Sequence, residues 1–338
     1  MITMPVKIAK LVSTQFVWLL LVTAAEAADP GLAIPASSAL SDQKAGSILV
    51  YNFYISNPAR PDRENTRISI TNTNSTAGLP GTAFVHLFFL DGESCMPADA
   101  FLCLTPNQTA SFLASEVDPG TKGYLIAVAV DPATGCPVSF NFLIGDAYLK
   151  LASGHVANLA AEAFAALYTG ALPGCNPTDL SATLSFDDAV YNRAPRVLAA
   201  SSLLSQLDGN STFLIVNAIG GNLVTTAASI GSLFGYLFDD EENAFSFTIN
   251  GVGCQLLRNL ATAPPRTAPP FNRVIPANHT GWMKLFVPPP NNNGLAILGA
   301  VVNANSLPSG ITNCGRNLHH LTLAPSATLI IPVMPPAC

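Results

Sequence analysis

The 338-residue chain is 49% hydrophobic and only 11% charged, with 15 Lys+Arg against 21 Asp+Glu and a net charge of −6. Ordinary soluble domains are roughly a quarter charged. The composition excludes a disordered chain, which needs low hydrophobicity and high net charge, and it offers no basic stripe to displace counterions from a nucleic-acid backbone.

In chain order, residues 1–27 read as a secretory signal: Lys7 and Lys10 precede the apolar run Phe16–Val22, and Ala25-Glu26-Ala27 forms the small-residue cleavage box. The uncharged stretch Leu11–Ala25 is short of the roughly 20 residues a spanning helix needs. Secretion, with no membrane span after cleavage, is the expected location. Residues 28–44 form an N-terminal extension. From residue 45 onward, short runs rich in Ile, Val, Phe and Tyr are broken by Gly, Pro, Asn and Asp, which predicts antiparallel strands. In TRISITNT, Ile68 and Ile70 alternate with Arg67, Ser69 and Thr71, so one face is expected to be buried. GYLIAVAVD and GLAILGAVVN are apolar on both faces and read as central strands.

The Ala-rich segment 153–167 places Val156, Leu159, Ala160, Ala163, Phe164 and Leu167 at helical spacing, which predicts one helix capped by Ser153. The Gly- and Pro-containing stretch 171–180 then reads as a linker. Residues 107–130 overlie 278–301 without a gap, sharing Asn107/Asn278, Pro119/Pro290, Gly123/Gly294 and Val130/Val301. SILVYNFYIS, NTRISITNT and AFVHLFFLDGE find counterparts, in the same order, in RVLAASSLL, STFLIVNAI and SLFGYLFDDEE. An internal duplication follows. The expected fold is all-β: two tandem antiparallel β-sandwich-like domains, 45–170 and 181–335, the second with an insertion near 243–272.

Seven cysteines in a chain bound for an oxidising compartment predict disulfides. Cys95 and Cys103 flank a short loop, Cys254 and Cys314 are paired within the second domain, and Cys136 pairs with Cys175. Cys338 is left over, and an odd cysteine in a secreted chain implies an intermolecular thiol. The turn Asp239-Asp240-Glu241-Glu242 and its counterpart Asp91/Glu93 are calcium candidates, since calcium takes carboxylate oxygens. No other cofactor is indicated.

His319-His320 alternate across a strand, so both cannot face one ligand. His155 and Glu162 would share one face of the expected helix. The sequons at Asn74, Asn107, Asn210 and Asn278 predict surface turns. Trp282, the one tryptophan beyond the signal, supports no carbohydrate platform. No nucleophile elbow, HExxH, Walker loop or GxGxxG occurs. The expected function is therefore a non-enzymatic structural or adhesive protein that self-associates or docks on a cell-envelope partner. The alternative is a small-ligand module for sugar or calcium, with a secreted hydrolase more distant.

Overall fold

The computed structural model describes residues 40–289, 294–305 and 313–337. The expected signal, most of the N-terminal extension and Cys338 lie outside them. In the first half the strands are β1 (Ile48–Ile55), β2 (Asn65–Asn72), β3 (Ala83–Asp91), β4 (Pro97–Leu104), β5 (Thr109–Leu113), β6 (Lys122–Ala129), β7 (Leu143–Leu151), β8 (Gly154–Ala160) and β9 (Glu162–Phe164). A second run begins with β10 (Ser181–Phe186), β11 (Pro195–Leu204), β12 (Asn210–Ile219), β13 (Gly221–Asn222), β14 (Thr226–Ala227), β15 (Gly231–Phe238) and β16 (Ala244–Val252). It closes with β17 (Gln255–Asn259), β18 (Thr280–Phe286), β19 (Ala296–Asn305), β20 (Cys314–Asn317), β21 (His319–Leu323) and β22 (Ala327–Pro332).

These strands form five small sheets, a five-bladed, propeller-like division of the chain in place of the expected pair of tandem sandwich domains. Sheet I has the order β4-β3-β6-β1-β9 and sheet II the order β5-β2-β7-β8. Sheet III runs β16-β15-β18-β11-β21, sheet IV β17-β12-β19-β20, and sheet V β10-β22-β13-β14. The finding that overturns the tandem arrangement is the sharing of cores within one compact unit. Alternate side chains of β1 and β6 serve two clusters. Leu49, Tyr51, Leu125 and Ala127 face Ile68, Ile70 and Leu149 of sheet II. Ile48, Val50, Tyr124 and Ile126 join a cluster that also holds Leu214, Leu298, Phe186 and Leu329 from the second half. Sheet I is thus buried on both faces, and β1 and β6 are buried along nearly their whole length because neither side meets water.

Strand order recurs between the halves. Sheets I and III, and sheets II and IV, take their strands from the same successive places along the chain, so that β6 corresponds to β18 and β7 to β19. The gapless overlay of 107–130 on 278–301 is out of step with this topology, since it sets β5 and β6 over β18 and β19. β6 and β19 resemble each other because both are central and doubly buried. Corresponding bulges also recur, between Tyr51 and Tyr54 in β1 and between Ala200 and Leu203 in β11.

The expected helix at 153–167 is replaced by the β7–β8 hairpin and β9. Val156, Leu159, Ala163 and Phe164 are all buried as expected, but from extended backbone. The unfilled pairing edges of β7 and β1 supply hydrogen bonds that outweigh alanine's helix propensity, and Gly154 takes φ +111°, which starts a hairpin strand rather than a helix. Among the described residues the α-helices are single turns at Ala114–Val117 and Phe271–Val274, with three short 3-10 turns at Leu79–Gly81, Pro177–Asp179 and Gln206–Asp208, and no helix is long or apolar enough to cross a membrane.

Candidate functional site

The duplicated bulges aim polar side chains into the seam between the halves. Bulging lets Asn52 leave the β1–β6 ladder, and its amide nitrogen lies 2.6 Å from Oε1 of Glu162, which is set on β9 by pairing with Val50. In the second half the corresponding pair is Ser201 and His319, whose Oγ and Nε2 lie 3.1 Å apart. His319 turns to Ser201 and His320 to Glu162, yet both border the same cleft, contrary to the expectation that they could not face one ligand. His320 Nε2 approaches Glu162 Oε2 to 2.6 Å. That is an ion-pair distance when the imidazole is protonated, yet the ring N–H is not aligned along it, and Nε2 has no hydrogen-bond partner of good geometry.

Around Glu162 the network is built from both halves. Gln255 donates to Asn217 Oδ1 at 2.8 Å, and Asn217 donates to the carbonyl of Asn52 at 2.8 Å. Asn52 also donates to Asn317 Oδ1 at 3.0 Å, and Asn317 donates to the Ala160 carbonyl at 2.8 Å and to Asp42 at 3.3 Å. Glu162 is 1% exposed, and Asn52 is the member of this network that donates to it directly. Above it opens a cleft of about 550 Å³, lined by Asp42, Gln43, Asn158, Glu162, Arg316, Asn317 and both histidines among others. A carboxylate flanked by amides and imidazole can accept and return hydrogen bonds to neutral hydroxyl groups. The expected His155–Glu162 pairing does not form: His155 stacks on Tyr148 at 4.2 Å while Glu162 faces the seam.

A second feature lies on the outer face of sheet III. Phe234, Tyr236 and Phe238 alternate along β15 with the buried Leu233, Gly235 and Leu237. Opposite them on β18 stand Phe286, Lys284 and Trp282. Trp282 and Phe238 stack with centroids 3.9 Å apart, and Phe234 lies 5.3 Å from Phe286 and 5.1 Å from Tyr236. All five rings remain partly exposed. The lone Trp282, which supported no carbohydrate platform and reads from the sequence as a core or interface residue, joins this face through the β15–β18 pairing, which the spacing of Phe234, Tyr236 and Phe238 alone does not reveal.

The calcium candidates occupy the β3–β4 and β15–β16 turns, where the carboxylates serve the turns themselves. Asp91 Oδ1 accepts from the backbone of Glu93 and Ser94 at 2.9 and 2.6 Å. Asp239 accepts from Glu241 and Asn243, and the Asn243 side-chain bond holds its carboxyl below the usual value. Asp240 lies 2.5 Å from His279, whose pKa it raises. Glu93 pairs with Lys122 at 3.5 Å, and the Glu241 and Glu242 side chains are exposed, Glu242 at φ +65°. Among the described residues no three metal-binding side chains converge.

Cys136 bonds Cys175, the pairing expected. Cys95 bonds Cys254 across the halves, correcting the expected Cys95–Cys103 and Cys254–Cys314 pairs. Sequence proximity favoured the local pairs, but the β3–β4 and β16–β17 turns meet in space, where Cys254 N also donates to Cys95 Sγ at 3.0 Å. Cys314 is free and exposed. Of the sequons, Asn107 and Asn278 sit in exposed left-handed turns, whereas Asn74 and Asn210 are buried.

The chain matches no protein-family model and no curated protein.

Proposed function

We propose that this is a secreted, non-enzymatic extracellular protein that associates through the aromatic face of sheet III, a second copy of the chain being the partner. The Cys95–Cys254 and Cys136–Cys175 disulfides fit an oxidising extracellular setting, and residues 1–27 supply the export signal in this reading. The observation that carries it is the set of five partly exposed rings from Phe234 to Phe286 with Lys284 as the one charge among them. Interface centres are enriched in aromatic residues and depleted in charge, and contiguous apolar surface marks an interaction site. A two-fold contact must be self-complementary. The acidic Asp239–Glu242 turn at the end of β15, with Lys284 nearby on β18, supplies both signs on one face.

The test is light scattering coupled to size exclusion over a concentration series, on wild type and Tyr236→Glu, with circular dichroism to verify folding. A dimer that becomes monomeric in the folded variant is expected. A wild type that stays monomeric throughout, or a variant that associates unchanged, contradicts the reading. Docking on an envelope protein would appear as a monomer captured by envelope extract and released by the same substitution.

A further inference from the structure

We propose that the seam cleft above Glu162 is a binding site for a neutral, hydroxyl-rich small molecule of monosaccharide or cyclic-polyol size. The cleft holds about 550 Å³, within the roughly 300–1,000 Å³ range of small-molecule sites. Its floor is a built polar surface and not a solvated dent. Glu162 is 1% exposed, and its orientation is fixed by Asn52 from behind and by His320 alongside. Asn317 is held in turn by Asn52, by the Ala160 carbonyl and by Asp42. Such donors and acceptors need no reorganisation when a ligand arrives, which lowers the cost of binding.

Charge selects the class. Asp42 and Glu162 disfavour an anion, while Arg316, together with His320 when protonated, disfavours a bare cation. A neutral hydroxyl both donates and accepts, and the lining alternates carboxylates with amides and imidazole in the same way. The site is separate from the aromatic face and does not rest on self-association.

Calorimetric titration of the full secreted chain with D-glucose, D-galactose, D-mannose, N-acetyl-D-glucosamine and myo-inositol tests this, with citrate and spermidine as charged probes. Saturable binding of at least one neutral probe is expected, weakened at least about tenfold in Glu162→Gln and in the rim variant Asp42→Asn. Asp42 is exposed, so its variant retains the fold even if Glu162→Gln does not. Absence of saturable binding by every neutral probe, preference for citrate or spermidine, or unchanged affinity in folded Asp42→Asn would each overturn the proposal.

Discussion

His86 is enclosed between Phe88 and Phe101, with ring centroids 4.1 and 4.3 Å away, and its Nδ1 is buried without a partner. Nε2 lies 3.3 Å from Asp99, whose carboxylate opposes the dominant effect of burial, so the imidazole titrates below its ordinary value of 6.5. The unfolded chain therefore takes up this proton first as pH falls. The stabilising contribution of a neutral His86 is complete above the unfolded value and is lost as pH drops from there through the lowered folded value. Urea midpoints at about pH 7.5 and about pH 5.5 should fall more in wild type than in His86→Gln, provided both fold. An equal fall in the two proteins would exclude His86 as the source. A comparable residue-scale signal was present at Glu162, the one carboxylate in the run AAEAFAAL, since a charge inside apolar sequence must find partners when buried. Assigned to a helix face, it pointed to the wrong neighbour. Nothing local to residue 162 indicates His320 or Asn317, which arrive from the other half.

At the scale of elements, alternation in TRISITNT located the buried face of β2, and the doubly apolar runs located the central strands β6 and β19. Such patterns are properties of one strand and survive without knowledge of its neighbours. The segment 153–167 shows the complementary limit. Its apolar residues sit at spacings compatible with either helix or strand, and the choice was made by the open edges of β7 and β1. Cysteine pairing and the aromatic face likewise required knowing which turns and strands meet. The two edge strands β9 and β21 now carry a cross-half pair, which gives a test of the seam. His320→Leu removes the imidazole 2.6 Å from the buried Glu162 carboxyl and should cost about 3 kcal/mol in urea unfolding if the two side chains act as a pair. The double variant His320→Leu with Glu162→Leu should regain a large part of that loss, because an apolar pair needs no compensation. Additive losses in the double variant would show that the two side chains are not coupled.

Across the whole molecule, the halves repeat one another in strand order yet do not fold as beads. Sheet I lends its second face to the second half, Tyr124 Oη donates to the Ala218 carbonyl at 3.0 Å, Asn217 reaches the Asn52 carbonyl, and Cys95–Cys254 closes the same seam. A cleft walled by both halves is a lasting site only if those walls form and dissolve together. Differential scanning calorimetry of the oxidised protein examines that directly, since separate cores would melt separately. One transition with equal calorimetric and van't Hoff enthalpies is predicted, persisting when Cys95 and Cys254 are both replaced by Ser, though at lower temperature. Two resolved transitions, each carrying about half of the enthalpy, would contradict a shared core and a cleft built at its seam.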